Sequence, residues 1–333
     1  MNYKLSKKIL EQIENVKRIL VNCHRSPDPD SVGSALALTR VLTQMGKEVK
    51  VICPTGLPQD TKFLVGSDTI ERVGFDKFDF GKFDLFIILD SGSSQMVTGL
   101  RDPMKFPIPT VVIDHHKTNL LYGDINLVDA KTSSTAEVLY LVFEDWGVKP
   151  DKEISQALLT GILADTGVFE YPGVTGKTLG IAQKLIEVGA DKDEIILNVF
   201  KTISFSKLKF WGEIIRRMEL DEKYGFVFSA LPYDVYSEFE KPVSAKETGS
   251  SLFATVVEGT KFGMIMVEED KGVLSISLRA RGNAFDVSKI AEKFGGGGHR
   301  SAAGAKVYDT EFEKAKEAVL QGAREVVNEV GKG

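Results

Sequence analysis

Cysteine, tryptophan and histidine are scarce in this chain: its 333 residues include two, two and four of them. So few cysteines exclude a disulfide-built scaffold. Cys23 and Cys53 each end an apolar run and read as a buried thiol pair in a reducing compartment. Long apolar runs are missing too; the longest, 85–89 and 110–113, are strand-sized and exclude a membrane span. The N-terminal segment alternates charge with Ile and Leu at helical spacing and has no signal-peptide core, so a cytoplasmic location is expected. A basic surplus is also lacking. A net charge of −5 argues against wrapping long nucleic acid, whose binding draws on phosphate neutralisation. It favours a small substrate met by local anion-binding groups.

What is present is an alternation of strand-like and helix-like segments over a length that suits two domains. Strands are expected at 19–23, 49–53, 85–89 and 111–113, with a clear helix over 34–45 that closes at Gly46. Such alternation implies a mainly parallel sheet with helices on both faces. Ser134-Thr135-Ala136-Glu137 has the form of a capping box, and a helix over 154–163 precedes Asp165. A charged amphipathic stretch then reads as a connecting helical region. Beyond it, strands are expected at 225–231, 255–257, 264–267 and 274–278, then a helix over 287–293, a glycine run and a last helix from about Glu311. The expected fold class is α/β: a mainly parallel, doubly wound sheet domain over 1–190, a helical linker over 191–220, and a smaller α/β domain over 221–333.

The scarce chelating residues fall at telling places. His24 follows the first strand and opens His24-x-x-x-Asp28-x-Asp30; Asp90 ends the third; Asp114-His115-His116 ends the fourth; Asp165 follows a helix. Carboxyl ends of parallel strands are where open α/β sheets build sites. One strand-end aspartate is as easily a turn or cap residue. Three strand ends collecting imidazoles and carboxylates together are hard to ascribe to chance. Four carboxylates in a small space repel one another unless cations compensate them. Imidazole and carboxylate without thiolate select Mn²⁺ or related ions, and two cations sharing a carboxylate activate water for in-line attack on phosphorus.

These segments carry a family resemblance. HRSPDPDSVGS, IILDSGSSQ, VVIDHHKTN and LTGILADTGVF resemble, in order and spacing, the four motifs of the DHH phosphoesterases. FGGGGHRSAAGA resembles the glycine-rich motif of their C-terminal DHH-associated domain. The resemblance spans nearly the whole chain and is closest to the stand-alone group of nano-RNases, pAp phosphatases and phosphodiesterases of pApA and cyclic di-AMP. It implies two Mn²⁺ ions, with Mg²⁺ or Co²⁺ as substitutes. It assigns His24, Asp28 and Asp90 to the first ion, and Asp30, Asp90, His115 and Asp165 to the second, Asp90 bridging. Asp114 would orient the site from behind, and His116 would contact the scissile phosphate. It also implies a homodimer. Pro29 departs from the family, which usually has Gly there; proline fixes φ near −65°, so the turn between the two ligands must fit that value.

In the second half, Ser277, Arg279 and Arg281 alternate at strand period and share one face. Asp286 can cap the helix that follows. Gly295 to Gly298, with Gly296, Gly297 and Gly298 leading into His299, can bring backbone N–H groups to an anion, aided by a helix starting just after them. The resemblance makes Arg279, Arg281, Gly296, Gly297, Gly298 and His299 substrate-binding. The expected function is hydrolysis of short nucleotides to nucleoside 5′-monophosphates, without long nucleic acid or membrane as partner. A pyrophosphatase or polyphosphatase of the same superfamily is the alternative. A RecJ-like exonuclease is disfavoured by the short acidic chain and by His24 at the head of the first motif. A metal-free nucleotide sensor is disfavoured because no ligand is missing.

Overall fold

The computed structural model describes residues 2–171, 173–239, 245–282, 284–308 and 310–330. Two compact units divide the chain, residues 1–202 and 203–333. In the first, the elements are α1 (Lys4–Glu14), β1 (Arg18–Asn22), α2 (Pro29–Gln44), β2 (Glu48–Cys53), β3 (Glu71–Arg72), β4 (Leu85–Leu89), α3 (Ser94–Thr98), β5 (Thr110–Asp114), β6 (Ile125–Val128), α4 (Thr135–Asp145), α5 (Lys152–Asp165), α6 (Gly176–Val188) and α7 (Lys192–Ile195). The six strands are all parallel, in the order β3-β2-β1-β4-β5-β6. Apolar side chains cover both faces: Ile19, Val21, Ile87 and Ile113 pack with α2, α4 and α5, and Leu20, Phe86, Ile88 and Val112 with an aromatic cluster of Phe75, Phe80 and Phe106. Strands buried on both faces must be continuously apolar, which is why these runs were legible. The order reverses between β1 and β4, and a crevice opens at the carboxyl ends there.

Helix α2 starts earlier than the sequence indicates. Asp28 is its N-cap, accepting from the Ser31 N–H at 2.9 Å, and Pro29 is its first residue. A fixed φ suits that position and the lost N–H is one the helix does not use, so proline is accommodated there. Helix α4 also departs from expectation. The Ser134 hydroxyl accepts from the Glu137 N–H, but the Glu137 carboxylate turns to Ser133 and Thr178, so the reciprocal capping box is not formed. Asp165 ends α5 rather than following it.

Helices α2 and α5 touch backbone to backbone. A Cβ on Gly33 would sit 2.3 Å from the Ala157 carbonyl oxygen, and one on Gly161 would sit 2.3 Å from Asp30 Oδ1 and 2.8 Å from Ala136 Cβ. The two glycines thus allow Asp30 and Asp165, on different helices, to approach one crevice.

The second unit comprises α8 (Phe205–Arg216), β7 (Glu219–Asp221), β8 (Phe226–Leu231), α9 (Tyr233–Tyr236), α10 (Ala245–Phe253), β9 (Phe262–Asp270), β10 (Val273–Ala280), α11 (Ser288–Lys293), β11 (Gly297–His299), β12 (Ala302–Tyr308) and α12 (Phe312–Val330). Its sheet is mixed, ordered β11-β12-β10-β9-β8-β7, with only β8 and β9 parallel. The stretch read as a linker is two pieces. Residues 192–200 are helical, and α8 buries Phe210, Trp211 and Ile214 against this second sheet. Residues 255–257, expected as a strand despite their short run, form bends: the Thr255 hydroxyl returns to the Ser251 carbonyl and Val256 is exposed.

Replacing Gly161 with alanine should lower unfolding stability by about 1–3 kcal/mol through overpacking. Chemical denaturation checks this; an unchanged midpoint would mean that the α2–α5 approach is looser than described.

Candidate metal centre

Every residue that the sequence assigned to the ions converges at the β1/β4 crevice. His24 follows β1, Asp90 follows β4, and His115 and His116 follow β5; Asp28 and Asp30 open α2, and Asp165 closes α5. Three groups bring ligating atoms within 4.8 Å of one another: His24, Asp28 and Asp90; Asp30, His115 and Asp165; and Asp90, His115 and His116. His24 Nε2 lies 3.5 Å from Asp28 Oδ2 and 3.4 Å from Asp90 Oδ2. His115 Nε2 lies 3.1 Å from Asp165 Oδ2 and 3.7 Å from Asp90 Oδ1. The two oxygens of Asp90 therefore face different groups. Asp90 itself is buried and has a left-handed backbone, φ +51°, a conformation that aspartate tolerates at some cost.

The surroundings hold these side chains in place. His24 Nδ1 is 2.9 Å from the Arg25 carbonyl, which leaves Nε2 facing the carboxylates. Asp114 is fully buried: it accepts from the His115 and His116 N–H groups and from His116 Nδ1 at 2.8 Å, while Asn119 Nδ2 donates to its other oxygen at 2.6 Å. His116 is thus oriented from behind, with no hydrogen-bond partner for Nε2 among the described residues, and its side chain is 46% exposed. Asn22 Oδ1 accepts from the Leu89 N–H between β1 and β4, just before Asp90. Asp30 is fully buried at the start of α4, where it accepts from the Thr135 and Ala136 N–H groups at 2.7 and 3.0 Å; the Thr135 hydroxyl donates to Asp90 Oδ1 at 3.0 Å. Sequence reasoning assigned no role to Asn22, Asn119 or Thr135. Asn119 lies inside one of the family-like motifs and Thr135 inside the expected capping box, where it marks only a helix start; Asn22 carries no signal beyond its place in the first strand.

Electrostatics follow from this crowding. Burial, with the charges of Asp90 and Asp165 nearby, pushes the Asp30 carboxyl well up. Burial likewise raises Asp165, against its hydrogen bond from His115. Burial opposes charge on the imidazoles too, but hydrogen bonds and charges from Asp28 and Asp90 carry His24 up to about 11. His115 rises to about 10, burial being outweighed by Asp165 and the other carboxylates. His116 is raised by its bond to Asp114. Without cations the cluster balances itself with protons, and the donor set suits divalent ions that would displace them. The nitrogen and oxygen donors and the absence of thiolate among the described cluster residues fit Mn²⁺-type ions.

A cavity of about 370 Å³ adjoins His24, Asp28, Asp90 and His116, its wall also including Gly92, Met96, Thr118 and Leu120. A larger cavity of about 580 Å³, beside Arg40 and Val65, is lined by none of the ligating groups. Chemistry, not volume, locates the site.

In the second unit, the residues assigned to substrate gather at one end of the strands β10, β12 and β11. Arg279 on β10 and His299 on β11 both pair with Ala302 of β12, which puts them in one row on one face, roughly 10 Å apart at twice the strand spacing. The face is partly covered: Lys246 of α10 bonds Ser275, and Ser251 accepts from Arg279 Nε at 3.0 Å. Ser277 is consequently buried rather than solvated. Arg281 lies just past β10, where Nη1 donates to the Val257 carbonyl. The glycine run is not a loop before a helix. It continues from α11 through a turn closed by Gly295 N–H to Glu292 O and Gly296 N–H to Ala291 O, then becomes β11, so the expected helix dipole is absent there. Gly295 needs its φ of +70°, and Cβ atoms on Gly296 and Gly298 would sit 2.2 and 2.5 Å from β12 carbonyl oxygens. Gly297 has open space and an ordinary φ.

A doubly wound sheet with a carboxylate–imidazole cluster at its switch point defines a metal-dependent phosphoesterase frame, and comparison with known proteins specifies which. The DHH family N-terminal domain matches residues 18–162 and the DHHA1 domain residues 256–329. The chain thus carries both domains of the DHH phosphoesterase group. It is similar to the bifunctional oligoribonuclease and PAP phosphatase NrnA of Thermus thermophilus, 29% identical over 98% of this chain and 95% of that protein. It is 26% identical to the cyclic-di-AMP phosphodiesterase PdeA of Listeria monocytogenes, over 95% of this chain but 49% of that protein. The solved structure of an exopolyphosphatase-related protein from Bacteroides fragilis superposes with a TM-score of 0.86 at 26% identity, covering 98% of this chain and 97% of that one.

Because His24 and His115 stand well above neutrality in the metal-free protein, cations must expel their protons. Mn²⁺ affinity should therefore rise with pH through the neutral range, with net proton release on binding. Calorimetry in buffers of different ionisation enthalpy measures the release; binding without it contradicts the ligand assignment.

Proposed function

We propose that this chain is a divalent-metal-dependent phosphodiesterase that hydrolyses short nucleotides, such as pApA, nanoRNA and, more slowly, cyclic di-AMP, to nucleoside 5′-monophosphates, and that the same site can release the 3′-phosphate of pAp as inorganic phosphate. The observation that carries the reading is the pair of donor groups that share Asp90, one oxygen facing each. His24, Asp28 and Asp90 would hold one ion, and Asp30, Asp90, His115 and Asp165 the other. When bound, the ions supply charge neutralisation and an activated water for attack on phosphorus. The chain's own residues do the rest. His116, fixed by Asp114 through Nδ1, keeps Nε2 available to donate to a phosphate oxygen. The adjoining cavity receives the nucleoside beside the scissile bond. The 3′-oxygen leaves, so the phosphate stays on the 5′ side of its nucleoside.

Recognition of the rest of the substrate is assigned to the second unit. Arg279 is half-buried without a carboxylate hydrogen-bond partner among the described residues, and it shares a row with His299. Gly297 is the one glycine of the run whose missing side chain the fold does not require, which favours close approach of a ligand there. A long strand finds no basic surplus on a chain of net charge −5. A cyclic dinucleotide lacks a terminal phosphate to dock. Mn²⁺ is the preferred ion on the imidazole donors, and the two free, buried thiols fit a reducing cytoplasm. The homodimer rests on the family resemblance alone. The similarity to an exopolyphosphatase-related protein supports a phosphoanhydride substrate as the second reading.

With Mn²⁺, kcat/KM should rank pApA above cyclic di-AMP and above a long single-stranded RNA. Equal efficiency on the long strand sinks the short-substrate reading, and efficient pyrophosphate turnover moves the chain to the second. Asp90→Ala should abolish turnover while the fold persists by circular dichroism; a near-normal rate contradicts the shared-ligand role.

Glycine and arginine substitutions separate recognition from folding. Arg279→Ala, His299→Ala and Gly297→Ala should raise KM with unfolding stability nearly unchanged for the glycine. Gly296→Ala and Gly298→Ala should instead cost about 1–3 kcal/mol of stability, because their Cβ atoms would overlap β12. Kinetics and denaturation on the same variants check the split; an unchanged KM for Gly297→Ala refutes ligand approach at that point.

A further inference from the structure

We infer that Thr135 is a positioning residue that sets how Asp90 is divided between the two cations, an inference that rests on the shared-carboxylate reading above. A carboxylate can bridge two ions with one oxygen each, or rotate and give both oxygens to one. Asp90 Oδ2 faces His24 at 3.4 Å, and Oδ1 faces His115 at 3.7 Å, so the division is already present in the fold. The Asp90 backbone does not enforce it, because rotation about the side-chain torsion leaves φ and ψ unchanged. The Thr135 hydroxyl does. It donates to Oδ1 at 3.0 Å from a fully buried position, and a buried hydroxyl has little freedom to follow a rotating carboxylate.

The same residue reaches the second group by another route. Its backbone N–H donates to Asp30 Oδ2 at 2.7 Å, and the next N–H, of Ala136, donates to Asp30 Oδ1 at 3.0 Å. These are the first N–H groups of α4, which need acceptors in any case, and the positive end of that helix favours a carboxylate there. Helix α4 thus fixes Asp30 through its backbone and Asp90 through one side chain. The two functions of Thr135 are separable: a substitution removes the hydroxyl and leaves both N–H groups in place.

A selective phenotype follows. Loss of the hydroxyl frees Oδ1 to turn from the Asp30–His115–Asp165 group, whereas His24 and Asp28 keep their partners. In Thr135→Val a methyl replaces the hydroxyl at nearly the same volume. This variant should bind one Mn²⁺ as the wild type does and the second about tenfold to hundredfold more weakly, the range seen when partners behind metal ligands are removed. Thr135→Ser, which keeps the donor, should restore the second ion. Thr135→Ala removes the hydroxyl without adding a methyl against the carboxylate, and must show the same selective loss if the valine variant fails to fold. Mn²⁺ isotherms by equilibrium dialysis give the two affinities, and electron paramagnetic resonance reads the exchange coupling that a bridging carboxylate transmits. The inference is overturned if the valine and alanine variants match the wild-type isotherm and coupling, or if serine fails to rescue. A wild-type chain that holds fewer than two ions overturns the shared-carboxylate reading itself.

Discussion

Mutual repulsion among buried carboxylates is the constraint around which the first unit is organised. Asp28, Asp30, Asp90 and Asp165 meet where β1 and β4 part company, and two of them, Asp30 and Asp90, are almost wholly withdrawn from water. Each buried negative charge is costly unless it is paired or hydrogen-bonded. The fold answers with three imidazoles from the ends of two strands, the N-terminus of α4 on Asp30, the Thr135 hydroxyl on Asp90, and the Ser31 N–H on Asp28. Those partners orient the carboxylates, and the protons that balance them are ones that divalent cations would displace. That exchange is what suits the cluster to cations.

Positioning depends on absent side chains as much as on present ones. Gly33 and Gly161 let α2 and α5 approach until their carboxylates share a crevice, and strand order opens that crevice at the one point where neighbouring connections diverge. In the second unit glycine serves a different end. Three of four consecutive glycines are consumed by a helix stop and by close contact with β12, leaving Gly297 as the position where the small residue is not explained by the fold. Function is most legible where structure makes no demand.

How far the sequence revealed this differs from element to element. The central strands were readable because each is an apolar run buried on both faces, and the ligand set was readable because aspartate and histidine gathered at the ends of those runs. The start of α2 was missed because Asp28, placed in the ligand set, is also the N-cap, with Pro29 resembling a loop residue although proline suits the first helical turn. Residues 255–257 looked like a strand because Thr and Val favour one; their contacts with α10 override that local preference. The glycine run suggested an anion cradle opened by a helix, whereas its backbone pairs with β12 as an edge strand. Thr135 and Asn22 were invisible because their partners are distant in sequence and no residue type advertises such a bond. The family motifs carried the site; only the fold supplied what holds it.

On this reading Asp90 joins two cation sites within the first unit. Anomalous diffraction from Mn²⁺-loaded crystals, collected at the manganese edge, tests it most directly. Two peaks about 3.5–4 Å apart, the spacing of paired-ion hydrolase sites, are expected, with one Asp90 oxygen on each ion. One ion would lie against His24 and Asp28, the other against Asp30, His115 and Asp165. A single peak, or two peaks with both Asp90 oxygens on the same ion, would contradict it.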